Sequence, residues 1–435
     1  MKQVKKKVAF YTLGCKLNYA ETSAISRLLP AESFEKTREA SDADVCIINT
    51  CSVTAAADKK CRQLVRKLTK ESPGALIVVV GCYAQLRPET LASIPGVDIV
   101  LGTYEKFMLP EYLKTTLKRE IPEIYVNKLP ETDPFYSSFS VDDRTRSFLK
   151  IQDGCDYFCS YCTVPLARGR SRNPSIEKLV QEAEFIAGKG VKEIVLTGVN
   201  IGDFGKSTGE TFTELLRELL KVEGIERYRI SSIEPDLLSD ELVYLASENK
   251  KIMEHFHIPL QSACDRTLRM MGRRYLRDTF ADRVMTIKKR MPLAGIGADV
   301  ITGFPGESEA DFEETYSFLK EMPLSYLHVF TFSERPGTPA EKMKDKVKWA
   351  DRERRSKRLL ELSANKRSDF YRMNKGMTSE VLFEHSRRAG MIEGFTGNYI
   401  RVQYPWKSDL AGTVRKVVLK EVAENGSVNA ELIDK

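Results

Sequence analysis

The sequence predicts an α/β protein made of three successive domains, and three patterns along the chain support this prediction. In residues 1–120, short apolar runs alternate with amphipathic stretches, which is typical of a doubly wound parallel sheet. From residue 147 the alternation returns on a larger scale, as six strand–helix units that indicate a partial, open (β/α)6 barrel. From residue 373 onward, short alternating strands predict a small all-β barrel. A chain of 435 residues is long enough for two or three such cores.

The first domain, residues 1–120, contains four apolar runs that we expect to be buried parallel strands. They are residues 8–14, 45–50, 76–81 and 99–102. Helical patterns at 21–29 and 56–69 lie between them, as crossover connections in a parallel sheet require. Residues 121–146 follow as a predicted interdomain linker, because prolines, serines and paired aspartates accumulate between 129 and 146.

The second domain, residues 147–370, is predicted from six further strand patterns. They are residues 148–152, 193–197, 228–232, 256–260, 297–301 and 326–332. Helical patterns such as 213–222 and 309–321 follow the strands, so the units are of the β/α type. A strongly basic helix is predicted at 351–375. The third domain, residues 373–435, then begins, with predicted strands at 381–384, 399–402 and 414–419.

The overall composition excludes several classes of protein. With 42% hydrophobic and 30% charged residues the chain is predicted to be globular rather than disordered. No apolar run approaches the ~20 residues of a membrane span, and the basic start lacks the features of a signal peptide. We therefore expect a cytoplasmic monomer that does not bind membranes. The net charge of +7 is compatible with a nucleic-acid partner.

Cysteine usage points to metal binding. Nine cysteines is an odd number, which favours metal ligation or free thiols over a disulfide framework. Cys155, Cys159 and Cys162 have a C-x3-C-x2-C spacing. Three thiolates can hold a 4Fe–4S cluster and leave one iron open, whereas electron-carrying clusters use four cysteines. The spacing resembles the signature of radical S-adenosylmethionine enzymes, in which the open iron binds S-adenosylmethionine.

A second set of cysteines is separated in sequence but similar in placement. Cys15, Cys51 and Cys82 each follow a predicted strand of the first domain. Because ligands bind beyond the carboxyl ends of parallel strands, we expect these three thiols to converge. A second metal cluster is favoured over coincidence, although cysteine is also a common buried residue. We expect the remaining cysteines to be structural: Cys46, Cys61 and Cys264.

The combined motifs resemble the methylthiotransferases along essentially the whole chain. They are Thr-Leu-Gly-Cys-Lys-Leu-Asn at 12–18, Asn-Thr-Cys at 49–51, Gly81-Cys82, and the second cysteine motif followed by Pro165 and Arg168-Gly169. The resemblance implies an auxiliary 4Fe–4S cluster on Cys15, Cys51 and Cys82, and a radical cluster on Cys155, Cys159 and Cys162. It also implies a terminal RNA-binding barrel of the TRAM type.

The same resemblance implies how the enzyme works. S-adenosylmethionine is used twice per turnover, first to methylate a sulfur on the auxiliary cluster and then to generate a 5′-deoxyadenosyl radical. One branch of the family modifies N6-threonylcarbamoyladenosine 3′ of the tRNA anticodon, a second modifies isopentenyladenosine there, and a third modifies an aspartate of a ribosomal protein. Lys16 and the segment 393–400 are similar to the threonylcarbamoyl branch. The partners implied are a tRNA anticodon loop and an unidentified low-potential electron donor.

Polar residues at the strand ends of the second domain are candidates for S-adenosylmethionine contacts, because a barrel's site lies at its C-terminal face. Each of them has the alternative role of capping the helix that follows its strand. Tyr161 is added for its position between two motif cysteines, where an aromatic residue near the adenine is expected from the resemblance. The full set of candidates is Tyr161, Gly198, Asn200, Ser232, Glu234, Gln261 and Asp299.

Candidates for RNA or substrate contact are Arg168, Arg170, Arg172 and Phe395. The arginines follow the cysteine motif in a loop that suits phosphates or a carboxylate, with a solvated loop as the alternative. The basic helix and the terminal barrel favour RNA. The four histidines show no metal-ligand spacing, so no role is assigned to them.

Three other functions compete with a threonylcarbamoyladenosine methylthiotransferase. A simple iron–sulfur carrier would need neither an open iron nor so large a scaffold. A non-catalytic zinc protein that binds RNA would need four ligands per structural site. A sibling enzyme, acting on isopentenyladenosine or on a ribosomal protein, differs in substrate only.

Overall fold

The computed structural model describes residues 4–52, 54–129, 134–141, 144–388 and 390–433. Part of the predicted linker therefore lies outside the described residues. No helix in the described part of the chain is both long and apolar enough to span a membrane.

The first part of the chain forms a six-stranded parallel sheet in the order β2-β1-β3-β4-β5-β6. The strands are β1 (Lys6–Thr12), β2 (Phe34–Thr37), β3 (Val45–Thr50), β4 (Leu76–Gly81), β5 (Ile99–Leu101) and β6 (Glu123–Tyr125). The helices are α1 (Lys16–Leu28), α2 (Ala55–Glu71), α3 (Cys82–Leu86), α4 (Pro88–Ala92) and α5 (Leu109–Tyr112). The doubly wound sheet predicted from the sequence is confirmed, with β2 and β6 as additional edge strands.

Apolar side chains cover both faces of this sheet. Every residue of β3 and of β4 is buried, as expected for central strands of a parallel sheet. Ile48, Val79 and Cys61 belong to the core on one face, and Val8 and Val78 belong to the core on the other. In the observed parallel register, Thr12 is paired with Asn49 and Thr50 with Gly81, so the carboxyl ends of β1, β3 and β4 lie side by side.

The second part is an open barrel of six parallel strands, which confirms the predicted (β/α)6 fold. The strands are β7 (Ser147–Lys150), β8 (Glu193–Thr197), β9 (Arg227–Ile230), β10 (His255–Gln261), β11 (Gly295–Thr302) and β12 (Tyr326–Thr331). The helices are α6 (Val164–Arg168), α7 (Ile176–Gly188), α8 (Phe212–Leu219), α9 (Asp240–Glu248), α10 (Asp265–Met270), α11 (Arg277–Arg290), α12 (Glu309–Glu321) and α13 (Trp349–Asn374). Single bridges join β9 to the β10 region, so the two three-stranded sheets form one curved wall.

Strand alternation divides the barrel residues between an outer core and an inner surface. Leu149, Leu196, Ile230 and Ile258 belong to the apolar core shared with the helices. The residues between them, such as Arg229, therefore face the inside of the barrel. The open side is covered by the first sheet domain, where Ala20 of α1 packs with Phe148 and Val195.

The long helix α13 is basic, as predicted, but its arginines are largely occupied. Arg354 and Arg355 form ion pairs with Glu309 of α12, and Arg358 pairs with Glu313. These contacts attach α13 to the outside of the barrel. The basic composition of this helix is therefore weaker support for RNA binding than the sequence alone suggested.

The last part of the chain is a closed five-stranded barrel in the order β13-β14-β15-β17-β16. Its strands are β13 (Thr378–Arg388), β14 (Met391–Thr396), β15 (Arg401–Pro405), β16 (Val414–Val422) and β17 (Val428–Leu432). Val381, Phe383, Ile392 and Val402 are among its fully buried core residues. The predicted small all-β barrel is confirmed.

Candidate metal and cofactor site

Cys155, Cys159 and Cys162 lie on the loop between β7 and α6, at the C-terminal end of the barrel strands. Two of the sulfurs receive backbone N–H groups: Tyr157 N lies 3.5 Å from Cys155 Sγ, and Val164 N lies 3.5 Å from Cys162 Sγ. The third receives a cation, because Arg273 Nη1 lies 3.2 Å from Cys159 Sγ. N–H donors and a positive charge around sulfur stabilise thiolates and tune a bound cluster.

This trio has the chemistry that an iron–sulfur cluster requires. Burial raises the pKa of Cys155 and of Cys162 to about 12. The thiols thus keep their protons until a metal displaces them, as expected for ligands placed in a sheltered loop. Three soft sulfur donors on one short loop fit a 4Fe–4S cluster with one iron open to another ligand.

Cys15, Cys51 and Cys82 lie at the carboxyl ends of the adjacent strands β1, β3 and β4. Cys15 is the N-cap of α1, and Cys82 is the first residue of α3. The loops touch at Gly14, which has a φ of +103° and where an added Cβ would lie 2.4 Å from Cys51 Cβ. Only glycine fits this position, so the sequence Gly14-Cys15 lets two of the thiols approach each other.

Arg168 connects the two cysteine sets. It is the last residue of α6, the helix directly after the loop that carries Cys155, Cys159 and Cys162, which we call the radical loop. Its Nε lies 3.2 Å from Cys82 Sγ. Its guanidinium also donates to Glu21 at 2.8 Å and to Asp153 at 3.0 Å. A further N–H donates to Asn18 Oδ1 at 2.9 Å, and the same oxygen lies 3.8 Å from Cys15 Sγ.

A buried group of charges surrounds Arg168 and holds the sheet domain against the barrel. Glu21 of α1 accepts from Lys106 at 2.6 Å and from Lys150 of β7 at 3.4 Å. Burial alone would raise the pKa of Glu21, but Arg168, Lys106 and Lys150 together hold it well below its usual range. The carboxylate is therefore ionised, and its removal would leave buried cations unpaired.

Several predicted cofactor residues meet in a cavity of about 190 Å³ next to the radical loop. Tyr161, Gln261 and Asp299 line this cavity, together with Thr54 from the sheet domain. Gln261 has a φ of +68°, an uncommon value for a residue other than glycine. Such backbone strain occurs preferentially where a ligand is bound.

Glu234 reaches the same region through Arg273, with which it forms an ion pair. Burial raises the pKa of Glu234 to about 7, and Arg273 opposes that rise. Arg273 also donates to the Tyr161 hydroxyl at 3.4 Å. One arginine thus joins Glu234, Tyr161 and Cys159.

The remaining predicted cofactor residues follow the ends of β8 and β9. Gly198 lies against Gln152, whose carbonyl oxygen would be 2.9 Å from an added Cβ. Asn200 is 3% exposed, and neither amide atom of its side chain has a hydrogen-bond partner within the described residues. Ser232 forms a backbone bridge with His257. A buried amide without a protein partner needs a ligand or an ordered water to satisfy it.

The structure also brings together three residues that the sequence did not connect. His257 Nε2 lies 2.8 Å from Asp299 Oδ1, and His328 Nδ1 lies 3.3 Å from the same oxygen. Their ligand atoms lie within 4.8 Å of one another. The three occupy inward-facing positions on β10, β11 and β12, so strand alternation was the available signal, whereas local spacing was not.

The four residues predicted to contact RNA or substrate occupy different environments. Arg168 and Arg172 are buried, at 2% and 7% exposure, and Arg172 donates to the carbonyl oxygens of Arg168 and Arg170. Arg170 has 73% of its side chain exposed and lies over Phe158. Phe395 is stacked on Tyr399, with 4.8 Å between ring centroids. Of the three arginines, only Arg170 is available to an external phosphate.

Comparison with known proteins agrees with this site. Residues 7–102 match uncharacterized protein family UPF0004, and residues 149–319 match the radical SAM superfamily. The chain is 40% identical over 419 residues to the threonylcarbamoyladenosine tRNA methylthiotransferase MtaB of Bacillus subtilis, covering 94% of this chain and 93% of that protein. The chain belongs to the radical S-adenosylmethionine methylthiotransferase family.

Other relatives of this methylthiotransferase carry two different names. The threonylcarbamoyladenosine tRNA methylthiotransferase of Aquifex aeolicus is 38% identical over 95% of this chain and 100% of that protein. The tRNA-2-methylthio-N(6)-dimethylallyladenosine synthase of Geotalea uraniireducens is 35% identical over 97% of both chains.

The radical S-adenosylmethionine methyltransferase TsrM of Kitasatospora setae has the same fold, with a TM-score of 0.55 at 14% identity over 78% of this chain and 77% of that chain.

Membership of the family assigns the cofactors of the radical site. A methylthiotransferase of this kind uses a 4Fe–4S cluster and S-adenosylmethionine. The radical-loop trio has the donor set for the cluster, and the cavity beside Tyr161 and Gln261 adjoins that loop.

Proposed function

We propose that this methylthiotransferase transfers a methylthio group to C2 of N6-threonylcarbamoyladenosine, 3′ of the anticodon of a tRNA. The relatives from Bacillus subtilis and Aquifex aeolicus support this substrate, and the names of these two and of the Geotalea uraniireducens relative all refer to tRNA. The observation that carries the proposal is the pair of cysteine trios joined through Arg168. One trio is enough for the radical cluster, so the second is available to hold the sulfur that is transferred.

We assign the second 4Fe–4S cluster to Cys15, Cys51 and Cys82, and two molecules of S-adenosylmethionine to each turnover. When bound, these groups supply the radical that removes the hydrogen from C2 and the methylthio group that replaces it. The protein's part is to hold the sites at a fixed separation. Arg168 donates to Cys82 on one side and to Asp153, two residues before Cys155, on the other.

The S-adenosylmethionine that yields the radical is proposed to lie across the strand ends of the barrel. Tyr161, Gln261 and Asp299 line the cavity, and Glu234 is positioned beside it by Arg273. Gly198 packs closely against Gln152, and the Asn200 amide, which has no hydrogen-bond partner within the described residues, offers a donor and an acceptor. Ser232 lies beside His257 on the same wall. The seven residues predicted from the sequence remain the proposed contacts.

The tRNA anticodon loop is proposed to bind between the terminal barrel and α13. A cavity of about 410 Å³ there is lined by aromatic and basic side chains: Tyr326, Arg367, Tyr371, Phe395, Tyr399 and Arg401. Aromatic faces and arginines are what single-stranded RNA loops contact. Arg170 is proposed as a further phosphate contact. We also propose the domain bounds 1–120, 147–370 and 373–435, a monomeric chain, and a separate low-potential electron donor.

Iron counting and nucleoside analysis test this function together. After anaerobic reconstitution, the wild type should hold about eight irons, and a Cys15→Ala/Cys51→Ala/Cys82→Ala variant should hold about four. Cys15→Ala should still cleave S-adenosylmethionine but form no methylthio product, whereas Cys159→Ala should lose cleavage itself. Four irons in both proteins, or methylthiolation of dimethylallyladenosine alone in tRNA from a complemented deletion strain, would contradict the proposal.

A further inference from the structure

The amino-terminal end of the (β/α)6 barrel is closed by the turn between β14 and β15. Arg229 Nη1 of β9 donates to Gly397 O at 2.9 Å, and Arg227 Nη2 donates to Phe395 O at 3.2 Å. The Tyr399 ring then stacks on His255, with 4.4 Å between ring centroids. The terminal barrel thus closes the amino-terminal end of the space inside the (β/α)6 barrel. We call this closing surface the floor, and Tyr399 is the central residue of the floor.

Three cations from three parts of the chain surround this floor. The Arg229 guanidinium lies 4.9 Å from the centre of the Tyr399 ring, and Arg146 lies 4.8 Å from that of Phe395. Lys16 is the first residue of α1 and shares a helix face with Ala20, which packs on Phe148 and Val195 inside the barrel. Lys16 therefore points toward the same interior.

The charges at the floor do not balance. Arg229 pairs with Glu193 at 2.8 Å, and Arg146 pairs with Glu384 at 2.9 Å. Lys16 has neither an ion pair nor a hydrogen bond within the described residues. Burial alone would raise the pKa of Tyr399, yet Lys16, Arg146 and Arg229 hold it below its usual value. Arg146 also forms a hydrogen bond with Tyr399. Within the described part of the chain, the three cations at the floor thus face two carboxylates, Glu193 and Glu384, and Lys16 is in an ion pair with neither.

We propose that Lys16 and the Tyr399 hydroxyl form a carboxylate-binding subsite for an anionic substituent on N6 of the target adenosine. This inference rests on the proposed function, which places C2 of the base near Cys15. In adenine, C2 and C6 flank N1, and N6 is attached to C6, so C2 and the N6 substituent lie on the same edge of the base. A base with C2 at the auxiliary site can therefore direct its N6 substituent toward the neighbouring residue, Lys16. A half-buried ammonium that has no ion pair within the described residues forms a strong, charge-assisted hydrogen bond to a carboxylate.

This subsite would determine the choice between the two kinds of relative. Relatives of both names are similarly identical to this chain, at 40% and 35% for the two compared here, so overall similarity does not separate them. A threonylcarbamoyl group ends in a carboxylate, whereas a dimethylallyl group is neutral. A cation without a counterion attracts the carboxylate of the threonylcarbamoyl group. A dimethylallyl group would instead remove water from the cation without offering it a negative charge.

The test compares charged and neutral substrates on variants of Lys16. Anticodon stem-loop RNAs carry N6-threonylcarbamoyladenosine, its methyl ester, or dimethylallyladenosine, and kcat/KM and Kd are measured for each with reconstituted enzyme. The wild type should prefer the acid over the ester by about 10- to 100-fold, the range expected for a charged hydrogen bond. Lys16→Gln should reduce that ratio toward one, and Lys16→Arg should restore most of it. Lys36→Gln, on exposed β2, should keep the wild-type ratio.

Two further measurements separate the possible failures. The free nucleosides contain no phosphate, so their Kd values distinguish carboxylate binding from attraction of the RNA backbone. Because Lys16 adjoins Cys15, iron is counted in each variant, and Tyr399→Phe tests the subsite from the side away from the cysteines. An unchanged acid-to-ester ratio in both Lys16→Gln and Tyr399→Phe overturns the subsite alone. A wild type that modifies only dimethylallyladenosine overturns the proposed function and the subsite with it.

Discussion

Arg168 donates to Cys82 of the sheet domain and to Asp153 of the barrel, and it is 2% exposed. In the sequence it lies in an arginine-rich stretch that suggested contact with RNA. Its partner Glu21 is 147 positions away, so no local pattern indicated burial. At the scale of single residues, the planar guanidinium has a specific role, because it donates in several directions that an ammonium group cannot match.

We therefore expect Arg168→Lys to damage the auxiliary site although the charge is kept. Loss of the bidentate contact to Glu21 and of the single contact to Asp153 should lower the free energy of unfolding of the cluster-free chain by about 3–5 kcal/mol, the usual range for a broken buried pair. Reconstituted protein should hold fewer than eight irons. Denaturant unfolding and iron analysis measure both effects. Arg170→Lys is the exposed control, and an equal effect there would contradict the role given to Arg168.

At the scale of elements, the β14–β15 turn shows how the terminal barrel is attached to the radical domain. Arg229 of β9 donates to Thr396 O at 3.1 Å as well as to Gly397 O. Glu193 of β8 forms ion pairs with Arg227 at 2.9 Å and with Arg229 at 2.8 Å. Burial by itself would raise the pKa of Glu193, but the arginines lower it from 4.5 to about 2.

This lowered pKa predicts an acid-sensitive attachment. A carboxyl whose pKa is lower in the folded chain than in the unfolded chain stabilises the fold at any pH above its unfolded-state pKa. That contribution is lost as the pH falls toward the folded-state pKa. For Glu193 the window runs from about 4.5 down to about 2, and the shift corresponds to about 3 kcal/mol. The thermal midpoint of the cluster-free wild type should thus fall more steeply between pH 5 and 3 than that of Glu193→Gln. Parallel curves would contradict this.

Strand patterns in the sequence predicted most elements because burial on both faces produces continuous apolar runs, as in β3 and β4. The edge strands β2 and β6 were missed, since Phe34–Thr37 and Glu123–Tyr125 have no such run. The trio Cys15, Cys51 and Cys82 was predicted because strand ends meet at one edge of a sheet, whereas Cys155, Cys159 and Cys162 were predicted from their spacing. Buried charges were not found, because burial of an arginine depends on partners that are distant in sequence.

At the scale of the whole molecule, the two cysteine sites depend on how the sheet domain closes over the barrel. Arg335, after β12, contributes to this closure from the barrel side. Its Nη2 donates to Ser52 Oγ at 2.6 Å and to Asp58 at 2.8 Å. Ser52 directly follows Cys51, so this contact ties the auxiliary site to the barrel independently of Arg168.

Arg335→Ala should uncouple the two stages of the reaction. The sites would be less firmly positioned, and small displacements between reacting groups cost about 10- to 100-fold in rate. We expect the ratio of methylthiolated RNA to 5′-deoxyadenosine to fall by that factor while the iron content stays near eight. Chromatography of both products measures the ratio. Arg217→Ala, which breaks an exposed pair with Glu241, should leave it unchanged. A lower iron content in Arg335→Ala would instead indicate damage to the cluster site.

The turn between β14 and β15 is held through its carbonyl oxygens, which every amino acid provides. Two side chains of the turn add to this attachment, because Asn398 Nδ2 donates to Leu293 O at 2.9 Å and the Tyr399 ring stacks on His255. One steric condition remains, because a Cβ at Gly295 would lie 2.2 Å from Asn398 O. A terminal barrel with a different outer surface would thus keep this attachment as long as it keeps Asn398 and Tyr399 in the turn and residue 295 stays glycine. The RNA-binding surface of the terminal barrel can therefore change in evolution without any change in the (β/α)6 barrel where the RNA is modified.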